Sequence, residues 1–276
     1  MKKRFIIYPT DFSDCAQNAM AFAIAMAKAL KSKIKIVHAV EIGSLVSAEE
    51  NPNLLLNTVK SLEELAEKKL VKLKEEIESF GVSSEYQIIR GRTLFIKDYM
   101  ENLDPLMIVM GTIGKYGLEN KIFGSFAAQT IHNPKSTVLV IPEKAKFNNL
   151  SEIVFATDFH TKDKTCLEFI MKIAKYYGSG LRVIHISGQL EDLNIEREKF
   201  LQLEKEMTST NISQNISFEL LYGEHVEDEL LELIERSKPG MLAVITRKRN
   251  FIERIFENSL SKKIVNNTNV PVLVFS

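Results

Sequence analysis

The chain has 276 residues, 45% hydrophobic and 26% charged, with 36 Lys plus Arg set against 36 Asp plus Glu. That length suits two domains of ordinary size, each able to bury a core, and the balanced charge gives no overall field toward nucleic acid or an anionic membrane. No apolar run approaches the ~20 residues needed to span a bilayer, and the basic start Met1-Lys2-Lys3-Arg4 is followed only by Phe5-Ile6-Ile7-Tyr8 before Pro9, too short for a signal-peptide core, so a cytoplasmic location is expected.

In chain order, the apolar runs Phe5 to Tyr8, Ile34 to Val40, Tyr86 to Ile89, Leu106 to Met110 and Thr137 to Ile141 read as strands. They are nearly continuously apolar, as strands covered on both faces are. Between them, Ser13 to Leu30 is rich in Ala and Met at helical spacing, with Ser13 placed to cap it. The segment from about Thr58 to Phe80 reads as a long, charged, amphipathic helix, and Leu94 to Met100 and Phe126 to Asn133 as shorter ones. Alternating β and α segments imply a parallel sheet with right-handed crossovers. Five strands fit an open doubly wound domain.

The pattern then repeats. Phe5 to Phe12, ending in Thr10-Asp11-Phe12, returns as Ile153 to Phe159, ending in Thr157-Asp158-Phe159, and His38 returns as His185. The offset is 147 both times (158 − 11 and 185 − 38). Gln87-Ile88-Ile89-Arg90-Gly91 matches Glu219-Leu220-Leu221-Tyr222-Gly223 at 132 (219 − 87), so the second copy is shorter in its middle. A period near half the chain means tandem domains, here 1–145 and 146–276. The last strands, Thr137 to Ile141 and Val270 to Phe275, are apolar edges that need covering. The expectation is a pseudo-dimer within one chain, with pairing between chains, as a homodimer, the alternative. Two cysteines, Cys15 and Cys166, form no C-x-x-C pair, and each reads as a thiol packed on the inner face of an early helix.

Ligands of doubly wound sheets sit beyond the carboxyl ends of the strands, where strand order reverses. Three segments of the first copy should meet there: Pro9-Thr10-Asp11, Val40, and the stretch from Met110 to Ser125. That stretch carries Gly111, Gly114 and Gly124 and enters a helix near Phe126. Glycines let a backbone approach a phosphate closely. Gly124 and Ser125 precede a helix whose free N–H groups favour an anion. The Ser125 hydroxyl either donates to a phosphate or caps the helix, and Lys115 and Lys121 add positive charge. Neither a Walker loop nor a dinucleotide G-x-G-x-x-G is present.

With G-x-x-G, nine residues and then G-S, the T-D-F strand ends, the I-V-H-A-V strand and the final V-L-V strand, the chain resembles the universal stress protein family in its tandem form. The resemblance covers both halves and implies an adenine nucleotide alpha hydrolase-like fold. It implies ATP, with any Mg2+ carried on the phosphates. Adenine would lie between the strand ends at Pro9, Thr10, Asp11 and Val40, ribose along Met110 and Gly111, and phosphates at Gly114, Gly124, Ser125 and the backbone of Phe126. It also implies a role in stress tolerance or dormancy.

The second copy departs from this. Aligning Ile122-Phe123 with Ile255-Phe256 puts Glu257 where Gly124 stood and leaves the loop two residues shorter, with Arg247, Lys248, Arg249 and Arg254 in it. A carboxylate repels a phosphate, so ATP binding is expected in the first copy alone, with Asp158 a remnant. Asp11 and Asp158 also read as helix caps, and the recurring His38 and His185 as packing. No catalytic triad or metal-ligand spacing emerges. The leading reading is an ATP-binding regulatory protein with an unidentified protein partner. The rivals are a slow ATP-hydrolysing enzyme and a ligand-free interaction module.

Overall fold

The computed structural model describes residues 5–40, 52–91, 93–112, 125–132, 136–147, 150–208, 215–245 and 269–275. The chain divides into two compact units, Met1–Glu143 and Lys144–Ser276.

The first unit runs β1 (Phe5–Pro9), α1 (Asp14–Leu30), β2 (Lys33–Val40), α2 (Pro52–Ser79), β3 (Ser84–Arg90), α3 (Thr93–Asn102), β4 (Met107–Gly111), α4 (Ser125–His132), β5 (Val138–Ile141). Its strands pair in the order β3-β2-β1-β4-β5, all parallel. Consecutive strand residues point to opposite faces. Ile6, Ile7 and Tyr8 are all fully buried, so the centre of the sheet is covered on both sides. The edge strand β3 instead exposes Glu85 and Gln87.

Helix α1 starts where Ser13 caps it, its hydroxyl accepting from the Ala16 N–H at 3.3 Å, and stops at Lys31, which adopts the left-handed conformation. Helix α2 begins at Pro52, ahead of the expected Thr58. Proline suits a first turn because the N–H it lacks has no intrahelical partner there. Val59, Ala66, Leu70 and Ile77 are the buried stripe of α2, and its exposed surface mixes charged residues with Leu54, Leu56, Leu62, Leu65 and Val71.

The second unit repeats the plan as β6 (Glu152–Ala156), α5 (Asp163–Tyr177), β7 (Gly180–Ser187), α6 (Leu193–Thr208), β8 (Ile216–Tyr222), α7 (Val226–Ser237), β9 (Met241–Ile245), β10 (Val272–Phe275). Within this unit the order is β8-β7-β6-β9-β10, again parallel. Arg182 on β7 reaches Glu152 on β6 at 2.8 Å and Glu219 on β8 at 3.8 Å, tying three strands on one face. No helix among the described residues is long and apolar enough to cross a membrane.

Candidate functional site

In the first unit β1 is flanked by β2 on one side and β4 on the other, so strand order reverses between β1 and β4. The carboxyl ends of these strands therefore frame the crevice that such sheets offer a ligand. Pro9 ends β1, with Thr10 and Asp11 just beyond; Val40 ends β2; Met110 and Gly111 end β4; Ser125 and Phe126 open α4. Gly114, Gly124, Lys115 and Lys121 lie outside the described residues, as does the side chain of Ser125.

The corner after β1 is tightly determined. The Thr10 N–H donates to Val37 O at 2.9 Å, and its hydroxyl accepts from the Phe12 N–H at 3.1 Å. Phe12 has φ 61°, a left-handed conformation that a bulky residue adopts only when its surroundings enforce it. They do: its ring lies 4.4 Å from the His38 ring, Lys69 Nζ sits 5.1 Å from its centroid, and His38 Nδ1 is 2.7 Å from Thr10 O. Asp11 turns inward along the chain. Its Oδ1 accepts from the Ser13 N–H at 3.0 Å and the Ser13 hydroxyl at 2.6 Å. Ser13 in turn caps α1. The Tyr8 hydroxyl donates to Ala16 O at 2.7 Å, and burial pushes its pKa well above the ordinary tyrosine value.

At the other end of the crevice, Gly111 meets α1. A Cβ there would lie 2.7 Å from Cys15 Sγ and 2.9 Å from Cys15 O, closer than real Cβ atoms come. The need for glycine at 111 is thus imposed from within the fold, by the packing of α1 on β4. Val40 and Met110 are buried, and the Val40 carbonyl accepts from the Gly91 N–H at 3.1 Å. Phe126 is half-buried, its carbonyl accepting from the Thr130 hydroxyl at 2.8 Å.

The second unit builds the same corner with other contents. Phe159 has φ 52°, stacks 4.1 Å from His185 and lies beneath Lys199 at 5.8 Å; His185 Nδ1 is 2.8 Å from Thr157 O. The matched cation pairs align Lys69 with Lys199, which sets Ala66 against Glu196 and Leu70 against Phe200. Glu196 Oε2 stands 3.2 Å from His185 Nε2, a contact that alanine at 66 denies to His38. Phe155 takes the place of Tyr8 and has no hydroxyl to pin the helix. Helix α5 starts at the counterpart of Ala16, two residues later than α1. There the buried Asp163 carboxylate takes the Thr157 hydroxyl, and its N-cap, Lys162, makes no side-chain cap. Strand register sets Ile245 opposite Gly111: Ile6 pairs with Met107, and its counterpart Ile153 pairs with Met241. The loop after Ile245, with Arg247, Lys248, Arg249, Arg254 and Glu257, lies outside the described residues.

Sequence reading missed Tyr8, Cys15, Asp163 and Glu196 as determinants of these corners. The Tyr8/Phe155 and Gly111/Ile245 exchanges are visible once the repeats are aligned by register. The others depend on where a helix starts and which face it turns inward.

The model of the universal stress protein family matches residues 3–142 and again 150–276. Universal stress protein MJ0531 of Methanocaldococcus jannaschii is 33% identical over 144 residues, covering 51% of this chain and 83% of that protein. Universal stress protein MJ0577 of the same organism is 29% identical over 157 residues, covering 50% of this chain and 94% of that protein. The crystal structure of a universal stress protein from Archaeoglobus fulgidus is similar in fold over 99% of this chain and 98% of its own, with a TM-score of 0.75 at 18% identity. Two family matches laid end to end, on two units of one strand order, carry the conclusion that this chain belongs to the universal stress protein family, as a tandem of two of its domains.

Proposed function

We propose that the first unit binds ATP at the carboxyl ends of its strands, and that the protein acts as a nucleotide-dependent regulator in stress rather than as an enzyme. The family is mostly non-enzymatic and has ATP-binding members. The observation that carries the reading is that Thr10, Asp11, Val40, Met110 and Gly111 gather around the strand-order reversal of the first unit. In this reading adenine occupies the end formed by Pro9, Thr10, Asp11 and Val40, and ribose runs along Met110 and Gly111. The phosphates reach Gly114, Gly124, Ser125 and the N–H of Phe126, where the free donors and positive end of α4 favour their charge. The chain fits such a ligand: α4 begins at Ser125, directly after the glycine-bearing stretch. A divalent cation would travel with the phosphates.

Mass spectrometry of small molecules released from the purified, denatured chain tests this, together with calorimetric titration of ATP. Gly124→Glu, which copies Glu257 of the second half, should abolish binding in a folded chain. A wild-type chain that carries no nucleotide and takes up none would instead be an interaction module, and sustained ATP turnover would make it an enzyme.

A further inference from the structure

We propose that Phe95, on the first turn of α3, is a wall of the base end of the first unit's site, its ring stacking on the adenine. The inference rests on the nucleotide reading above and adds a residue to its adenine end.

The ring belongs to the same edge of the sheet as Val40. Just past the end of β3, the Gly91 N–H donates to Val40 O at 3.1 Å. Gly91 has φ 133°, a conformation that favours glycine, and a Cβ there would lie 2.8 Å from Phe95 Cδ2. The ring therefore covers Gly91 at the carboxyl edge of β2 and β3. It is 59% exposed, whereas Ile96 and Met100 of the same helix are buried, so packing of α3 leaves most of the ring unused. Lys35 Nζ stands 5.9 Å from the centroid of the Tyr99 ring on α3, so the odd-numbered residues of β2 face that helix. Ala39 is one of them, half-buried and paired with Ile89. Helix α3 also packs against α4, whose start takes the phosphates in the nucleotide reading. One face of the sheet thus carries an exposed ring over Gly91, with small Ala39 on the neighbouring strand, and the helix start that follows β4. A flat apolar surface among small residues suits a purine, because aromatic side chains stack on base faces.

The second unit keeps the glycine and replaces what surrounds it. The Gly223 N–H donates to Ser187 O at 3.0 Å, as Gly91 does to Val40. The side chain set against Gly223 is Glu229 of α7, where the first unit has the Phe95 ring. The repeat offset of 147 (186 − 39 and 187 − 40) puts Ile186 at the position of Ala39 and Ser187 at that of Val40. Gly223 is buried, whereas Gly91 is half-buried. Glu229 offers no aromatic face, and Ile186 adds bulk where the first unit has a methyl group.

The test is calorimetric titration of the full chain and its Phe95→Ala variant with adenosine and ATP, with a urea midpoint for each protein. Affinity should fall by about tenfold, the scale of one base stacked on one ring, and by the same factor for both ligands, since the wall meets only the base. The urea midpoint should barely move, because most of the ring is exposed. Phe95→Leu keeps apolar bulk without an aromatic face and should bind as weakly; it also serves if the alanine variant does not fold. Phe80→Ala, which removes another exposed ring, should leave both affinities unchanged. Phe95→Trp should bind as the wild type does. The chain has no tryptophan of its own, so the emission of this variant reports the site directly: adenosine and ATP should quench it, and ribose 5-phosphate should not. Wild-type affinity in a folded Phe95→Ala or Phe95→Leu chain, a loss confined to ATP, or a Phe95→Trp emission that bound ATP leaves unchanged overturns the role of Phe95 alone. A wild-type chain that binds neither ligand overturns the nucleotide reading, and this inference with it.

Discussion

His38 Nδ1 lies 2.7 Å from the carbonyl oxygen of Thr10. A carbonyl only accepts, so the imidazole donates from Nδ1, and the stacked Phe12 ring holds it in that pose. His185 and Thr157 repeat the relationship at 2.8 Å. Replacing His38 by Leu should therefore cost about 1–3 kcal/mol, the range for leaving a buried acceptor without its donor. The same change at His185 should cost about as much, because its Nδ1 makes the equivalent bond, while its Nε2 and Glu196 Oε2 face each other at 3.2 Å without a hydrogen bond. Urea unfolding read by hydrogen exchange in each unit measures both. A clearly larger loss at His185 would mean that the Glu196 contact stabilises the fold after all.

Asp11 separates a cap from a ligand group. Its Oδ1 takes both donors of Ser13, so Asp11→Ala should lose about 1 kcal/mol through the start of α1. Asp11→Asn retains an oxygen at that place and should recover most of the loss. If Asp11 also meets adenine or ribose, the alanine variant will in addition bind ATP about tenfold more weakly, equivalent to some 1.4 kcal/mol. An alanine variant that is less stable but binds ATP as well as the wild type does would leave Asp11 as a cap only.

The sheet was legible in the sequence because strands covered on both faces must be apolar at every position, as Ile6, Ile7 and Tyr8 are. Ser13 was legible as a cap because its hydroxyl acts within one turn of its own backbone. The start of α2 was not, since Pro52 reads as a breaker until its place in a first turn is known. Gly111 was noticed as a glycine, but its close partner Cys15 lies far away in sequence. Contacts of that kind follow from packing of a helix on a distant strand, which local pattern does not encode. The same holds for Glu196, whose charge suggests a solvated face, although α6 turns it toward the buried His185.

Alkaline pH should weaken the second unit through Cys166. Burial, and then the nearby Asp163, push its thiol from an ordinary 9.0 up to about 12. Between those values the unfolded chain has lost the proton while the folded chain keeps it. The contribution is therefore complete below about pH 9 and is lost as pH rises toward about 12, with a slope of up to about 1.4 kcal/mol per unit. Tyr177, raised by burial from 10.0 to about 12, acts in the same direction. Cys166→Ala should be less stable at neutral pH because of the cavity, yet show a shallower decline above pH 9. Urea midpoints across pH 8 to 10.5 check this, and parallel curves for the two proteins would contradict it.

One chain should bind one ATP. The first unit offers the Thr10 corner, a glycine at the end of β4, and a helix entered directly from the glycine-bearing stretch. The second keeps the corner but changes what surrounds it. The Thr157 hydroxyl is already taken by Asp163, a buried carboxylate on the first residue of α5. Asp163 therefore holds the Thr157 hydroxyl proton at the end of the crevice where the first unit's reading puts adenine. Ile245 adds bulk where the first unit has none, and Glu257 stands in sequence at the position of Gly124. Three independent changes oppose a second nucleotide, so reversing one should not restore it: Ile245→Gly should still titrate with a single equivalent. Arg247, Lys248 and Arg249 supply charge that could attract a free anion, so the titration is repeated in excess phosphate. Two equivalents of ATP bound to the wild-type chain under those conditions would show that Asp163 does not close the second site. A stoichiometry of one that disappears with Gly124→Glu would place the nucleotide in the first unit.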